Sequence, residues 1–143
     1  MPSIRWRHDG RQVLLPIAVL RPNAPTDLSW ATITALVDTG ATSSGISSSV
    51  VRELGLVSHT KKLLKSAHSE DHVSYYIFRI GLFPDADFGD AEEPFPSLPF
   101  TFPESEGFSC SAGDAYQAIL GMDILKQCDF SIDRQGRCIL TFG

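Results

Sequence analysis

The chain has 143 residues, of which 43% are hydrophobic and 20% are charged, and its formal net charge at pH 7 is -5. This length and composition predict a single globular domain over residues 1–143, with a hydrophobic core of ordinary size, and exclude a disordered chain. The acidic balance argues against nucleic acid as a partner, because phosphate binding needs clustered Lys and Arg, and only Lys61, Lys62 and Lys65 approach a cluster.

The sequence also argues against a membrane partner or a metal site. Its first residues, MPSIRWRHDGRQ, lack the apolar core of a signal peptide, and no run reaches the roughly 18 apolar residues that a membrane span requires. We therefore expect a cytoplasmic location. Cys110, Cys128 and Cys138 form an odd set without CxxC spacing, which predicts reduced, mostly buried thiols and no metal.

In chain order, β-branched and aromatic runs alternate with Pro, Gly, Asn and Asp, a rhythm typical of an all-β domain. Strands are predicted over Gln12–Pro22, Trp30–Asp38 and Val73–Phe83. A short helix is predicted over Ser47–Gly55, with serines to cap its start, with Val50, Val51 and Leu54 at helical spacing, and with a glycine to end it.

Near the end of the chain, a second short helix is predicted over Gly121–Cys128, followed by a closing hairpin with Gly136 in its turn. We expect Met122 and the aromatic residues of YYIF to lie in the core, and Trp6 and Trp30 to serve in packing.

The segment PDADFGDAEEP, from Pro84 to Pro94, holds five acidic residues. Because it lacks the twelve-residue frame and closing Glu of a calcium loop, we interpret it as a solvated loop.

The stretch ALVDTGATSSGIS, Ala35–Ser47, contains the residues with the clearest chemistry. A phosphate-binding loop is excluded because Ile46 stands where the lysine must be, and a nucleophile elbow is excluded because GxSxG is absent. What remains is Asp38 at the end of an apolar strand, followed by a hydroxyl residue and a glycine. A carboxylate in such a setting needs a hydrogen-bonding or charged partner.

This stretch resembles the active-site signature of aspartic proteases, Asp-Thr-Gly-Ala after apolar residues. A second block, AILGMDIL (Ala118–Leu125), is similar to the segment that opens the C-terminal helix of the retropepsin-like, retroviral-type family. The resemblance implies a single-lobed acid-protease β-barrel with one short C-terminal helix and a further short helix after the DTG loop. Retroviral members commonly carry an acidic residue and an arginine where this chain has Thr42 and Met122, so the cellular branch is the closer match.

The resemblance implies an aspartic endopeptidase that needs no cofactor. Such enzymes use two carboxylates that share one proton, because two like charges so close together cannot both ionise. Since this chain holds DTG once, the second aspartate must be Asp38 of another copy. The implied partners are therefore a second copy of the chain and an extended peptide or protein substrate, with limited processing as the expected activity.

The resemblance also assigns roles around Asp38. Thr39, Gly40 and Ala41 would form the active-site loop and contact the substrate backbone, and Gly121 and Asp123 would support that loop. Ala41 lacks the hydroxyl that pepsin-like enzymes often carry there, which predicts activity nearer to neutral pH.

In this family a β-hairpin, the flap, closes over the substrate, and its tip usually carries glycines. The equivalent stretch here contains none, and its possible flap residues are Ser66, Ala67, His68, Ser69 and Glu70. The spacing of His68 and His72 does not fit a zinc-binding HExxH helix, so we interpret both as exposed. The glycine-free flap motivates an alternative, a catalytically silent module of the same fold that serves in dimerisation or peptide binding.

Overall fold

The structure is a computed structural model that describes residues 1–22, 26–27, 29–65, 70–86, 98–110 and 115–143, with the backbone alone at 64–65 and 70–72. Within these ranges the chain is mostly β-strand. In chain order the elements are β1 (Ser3–Arg7), β2 (Leu14–Leu20), β3 (Trp30–Val37), β4 (Gly45–Ser47), α1 (Ser48–Leu54), β5 (Thr60–Lys65), β6 (Glu70–Leu82), β7 (Phe100–Thr101), β8 (Ser105–Cys110), β9 (Ala118–Leu120), α2 (Met122–Leu125), β10 (Asp129–Ile132) and β11 (Arg137–Thr141).

Six strands close into a barrel in the order β2-β3-β9-β4-β8-β6, because β6 also pairs with β2. Strands β5 and β7 extend the sheet from β6. Fully buried apolar side chains fill the core, among them Leu15, Ile17, Phe78 and Leu120. The all-β barrel with two short helices, predicted from the sequence, is confirmed.

A separate three-stranded sheet, ordered β1-β11-β10, brings the two ends of the chain together. Alternation along β1 and β11 buries Ile4, Trp6, Cys138 and Leu140 on one face. The closing hairpin of β10 and β11 is confirmed, and Gly136 in its turn has φ +84°, a left-handed conformation that favours glycine.

Helix α1 follows directly after β4 and packs on the barrel. Val50, Val51 and Leu54 are buried, and Gly55 ends the helix with φ +65°, as its sequence predicted. The predicted serine cap is absent, because the Ser47 hydroxyl pairs with that of Ser49 at 2.8 Å rather than with a helix N–H.

The second helix is shorter than predicted and leaves Met122 at the surface. The helix covers only Met122–Leu125, and Ile124 and Leu125 are buried in the core. Met122 is 37% exposed, so the prediction that Met122 lies in the core is wrong. No described helix has the length and apolar character needed to cross a membrane. Most of the acidic segment, residues 87–94, lies outside the described residues.

Candidate active site

Strand β3 delivers Asp38 to one end of the barrel. The last residues of β3 run parallel to β9, with Val37 opposite Leu120, and the N–H of Asp38 donates to the carbonyl of Leu120 at 3.0 Å. On the other side of β3, the N–H of Val37 donates to the carbonyl of Val13 at 2.8 Å. The backbone that carries the carboxylate is therefore fixed from both sides.

The loop after Asp38 turns around the carboxylate itself. The N–H of Gly40 donates to Asp38 Oδ1 at 2.8 Å, and the N–H of Ala41 donates to the Asp38 carbonyl at 3.2 Å. Asp38 is half-buried, whereas Thr39 and Gly40 are exposed. A Cβ on residue 40 would lie 3.1 Å from Asp38 Oδ1, so glycine allows this close approach. Both backbone and carboxylate are thus accessible from the same surface.

The start of α2 packs directly against this loop. The N–H of Met122 donates to the Ala41 carbonyl at 2.8 Å, and that of Asp123 donates to the Thr42 carbonyl at 3.2 Å. A Cβ on Gly121 would lie 2.7 Å from the backbone of Ser43, a contact that real side chains do not make. The two blocks of sequence that carry the resemblance are therefore in contact, and Gly121 is needed for their approach.

Ser44 and Asp123 join the two blocks through side chains. The Ser44 hydroxyl donates to Asp123 Oδ1 at 2.7 Å and accepts from the N–H of Gly121 at 3.0 Å. The N–H groups of Ser44 and Ile124 also donate to the Asp123 carboxylate, each at 3.0 Å. The sequence assigned Ser44 no role here, because nothing in TSSG distinguishes this fully buried serine from its partly exposed neighbour Ser43.

A long hairpin formed by β5 and β6 stands where the flap was expected. Its last described pair joins Lys65 to Glu70. The possible flap residues Ser66, Ala67, His68 and Ser69 lie outside the described residues, and for Glu70 only the backbone is described.

The base of this hairpin is tied to β8 by an ionic cluster. Glu106 on β8 binds the Lys62 ammonium, and its other carboxylate oxygen lies 3.1 Å from His59 Nε2. The Lys62 nitrogen also sits 5.0 Å from the centre of the Tyr75 ring, a cation–π contact.

Strand β8 also packs closely on β4. The Phe108 ring of β8 lies so near Gly45 that a Cβ added to Gly45 would be 2.8 Å from the ring.

In the part of the chain that the structure describes, titratable and metal-binding side chains elsewhere form no second site. The described residues contain no group of three or more His, Cys, Asp and Glu side chains arranged to hold a metal. All three cysteines are free, as predicted, but only Cys138 is buried. Burial nonetheless raises the pKa of the half-buried Cys110 and Cys128 thiols to about 11, so both are protonated at neutral pH.

Comparisons with known proteins agree with this geometry. A family model described as aspartyl protease matches residues 28–124, which include the block around Asp38 and all of the second block except Leu125. A solved structure of a retropepsin-like aspartic protease from Rickettsia conorii is similar, with a TM-score of 0.59 and 18% identity, over 98% of this chain and 91% of that chain. At this identity the likeness concerns the fold. A search of proteins with curated functions finds no match.

Proposed function

Since the chain belongs to the aspartyl protease family and has a retropepsin-like fold, we propose that it is an active homodimeric endopeptidase. Its active site would form where the Asp38 loops of two copies meet on a two-fold axis. Each copy contributes one carboxylate, and the pair hydrolyses an internal peptide bond of an extended protein segment.

The observation that supports the dimer is the difference in hydrogen bonding and exposure between the two carboxylates near the loop. Asp123 lies beside the loop, but both of its oxygens already accept hydrogen bonds from Ser44 and Ile124. Asp38, in contrast, accepts the Gly40 N–H at Oδ1 and remains partly exposed. Of these two carboxylates beside the loop, only that of Asp38 is therefore available for the reaction, and we propose that a second copy supplies the other.

In the proposed reaction, the two Asp38 carboxyl groups share one proton, because two like charges in contact do not both ionise. The ionised carboxylate takes a proton from a water molecule, whose oxygen bonds to the carbonyl carbon of the substrate. The protonated carboxyl hydrogen-bonds the carbonyl oxygen and stabilises the tetrahedral intermediate. The intermediate then loses the amine after a carboxyl group transfers its proton to the nitrogen, which breaks the peptide C–N bond.

The surroundings of Asp38 support an extended substrate. Thr39 and Gly40 are exposed beside the carboxylate, and Gly40 presents a backbone without a side chain. We propose that the hairpin of β5 and β6, whose six described pairs run from Thr60–Tyr75 to Lys65–Glu70, covers the peptide from the opposite side and holds it by main-chain pairing. We propose selective processing of protein substrates, and the expected cytoplasmic location stays a prediction.

Cleavage of a diverse peptide library between pH 4 and 7.5, followed by mass spectrometry, tests the proposal. Asp38→Asn keeps the size of the side chain and removes the ionisable carboxyl, so we expect it to cut nothing, whereas the wild type produces defined cuts. Glu53→Gln, which neutralises an exposed carboxylate on α1, serves as the matched control and should cut like the wild type. If the folded wild type cuts nothing, the silent dimerisation or peptide-binding module replaces the protease.

A further inference from the structure

Strand β5 is the outer strand of the hairpin that we place over the peptide. Within the described ranges β5 pairs with β6 alone, over Thr60–Lys65. On its other side β6 pairs with β8, where Ile77 stands opposite Glu106. Backbone pairing therefore connects β5 to the barrel only through β6, and any direct connection to β8 depends on side chains that pass over β6.

Glu106 makes that direct connection with both of its carboxylate oxygens. One oxygen forms an ion pair with the Lys62 ammonium of β5, and the other lies 3.1 Å from Nε2 of His59, the residue just before β5. The Lys62 nitrogen lies 5.0 Å from the centre of the Tyr75 ring of β6. The ionic cluster of Glu106, Lys62 and His59 thus passes over β6 and joins β8 to the outer strand.

The surroundings of the ionic cluster distinguish it from an ordinary surface ion pair. An isolated exposed pair contributes little, because water screens the charges and two long side chains lose rotamer freedom. Here one carboxylate, whose side chain is only 26% exposed, contacts two partners. The Lys62 ammonium gains a further contact with an aromatic ring. Each of these side chains is therefore held by more than a single contact.

The residues beneath the ionic cluster lead by direct contact to the Asp38 loop. Tyr75 is buried, and its ring lies 6.4 Å from that of Phe108 on β8. The Phe108 ring covers Gly45, and the N–H of Phe108 donates to the Ser44 carbonyl at 3.2 Å. Ser44 in turn is bonded to Asp123 beside the loop. The base of the hairpin is therefore fixed relative to the active-site loop.

We propose that Glu106 is a positioning residue, which holds the hairpin in the orientation that covers a peptide bound at Asp38. This role rests on the proposed function, and Glu106 acts through Lys62 and His59 rather than by contact with the peptide. Without the ionic cluster, the hairpin occupies the covering orientation for a smaller fraction of the time. The apparent affinity for the peptide falls by that fraction.

Glu106→Gln tests this role in the kinetics, because glutamine keeps the size of the side chain and removes its charge. We expect KM for a cleaved peptide to rise about 5-fold, the upper end of what a partly exposed ion pair contributes. The value of kcat should change less than about twofold, because saturating peptide restores the covering orientation. A damaged fold would instead lower kcat by reducing the amount of active enzyme. Glu53→Gln, at an exposed carboxylate of α1, is the matched control and should keep the wild-type KM.

Lys62→Met tests the same contact from the other strand. Methionine keeps most of the apolar stem of the lysine and removes the ammonium, so KM should rise here as well. If Lys62 and Glu106 act through one contact, the double variant raises KM by less than the product of the two single effects. Single effects that multiply in full would contradict a shared contact.

Hydrogen exchange measures the hold on the hairpin without any substrate. We expect the backbone N–H groups of residues 59–63 and 73–76 to exchange about 5-fold faster in Glu106→Gln, because local opening of the hairpin becomes easier. The N–H groups of β2 and β3 should exchange as in the wild type. A general loss of stability would accelerate exchange in the barrel as well.

The outcomes separate this role from the protease itself. Unchanged exchange in the hairpin overturns the role of Glu106 and leaves the protease standing. Faster exchange with an unchanged KM also overturns it, because opening of the hairpin then has no consequence for the peptide. If the folded wild type cuts nothing, the proposed function fails, whereas faster exchange in Glu106→Gln still supports the hold of β8 on the hairpin.

Discussion

Ser44 lies in the segment that leaves the Asp38 loop, and its hydroxyl joins that segment to the start of α2. The hydroxyl donates to Asp123 and accepts from Gly121, and Ser44 is fully buried. We predict that Ser44→Ala lowers the free energy of unfolding by about 1–3 kcal/mol, because a buried N–H and a carboxylate oxygen each lose a partner. Urea denaturation at fixed protein concentration measures the change.

Ser48→Ala is the control for that substitution, since Ser48 is exposed at the first position of α1. Its effect should stay within about 0.5 kcal/mol, as is usual for surface positions. Equal effects of the two substitutions would contradict a structural role for the Ser44 hydroxyl.

Some individual positions could be identified from the sequence, and others could not, for physical reasons. Gly121 could be marked because its motif is specific, and the structure shows backbone crowding that explains it. Ser44 and Met122 could not be placed, since a serine among serines and a methionine beside a helix start carry no signal of burial. Ser44 is fully buried and Met122 is exposed, and only the three-dimensional contacts decide this.

Among the elements, the turn between β10 and β11 depends on one carboxylate. The Asp133 carboxylate accepts backbone N–H bonds from Arg137 and Gln135, both at 2.9 Å, and an ion pair from the Arg137 guanidinium. The hydrogen bond from the Arg137 backbone is the main cause that lowers the pKa of Asp133 below its ordinary value. A carboxyl whose pKa is lower when folded stabilises the protein above the unfolded pKa of about 4, and this contribution is lost as the pH falls through the folded pKa.

We therefore predict that Asp133→Asn lowers the urea midpoint at pH 6 and that the difference from the wild type shrinks as the pH falls through the folded pKa of Asp133. Asparagine can still accept the backbone bonds, so the variant isolates the charge. Arg134→Gln, an exposed change in the same turn, should alter the midpoint by the same amount across this pH range. A pH-independent effect of Asp133→Asn would contradict the assignment.

Long or well-marked elements were predictable, and short ones were not. The strand ending at Asp38, helix α1 and the closing hairpin have strong periodicity or a glycine that ends them. Strands β4 and β9 have three residues each, too few to show an alternating hydrophobic pattern in the sequence. They form because β3 pairs with β9, β8 pairs with β4, and β4 and β9 pair with each other. Helix α2 is shorter than its sequence predicts because β10, which begins at Asp129, pairs with β11, and this tertiary pairing ends the helix early.

For the whole molecule, the barrel explains why two distant blocks of sequence meet. Strand β9 pairs with β3 on one side and with β4 on the other. Because Asp38 follows β3 and Gly121 follows β9, this pairing brings Gly121 against the loop that begins at Asp38. The resemblance of the two blocks predicted this meeting, but one chain's sequence holds no direct information on a partner's position. The number of carboxylates per active site must therefore be measured on the assembly.

Mixing wild-type and Asp38→Asn chains makes that measurement. If each active site needs Asp38 from both copies, heterodimers are inactive, and an equimolar mixture left to exchange subunits retains about one quarter of the activity of wild type at the same total concentration. If each chain acts alone, about one half remains. Glu53→Gln in place of Asp38→Asn controls for mixing and should leave activity unchanged. A retained half, with subunit exchange confirmed by native mass spectrometry, would contradict the shared dyad, since each chain would then hold a complete site.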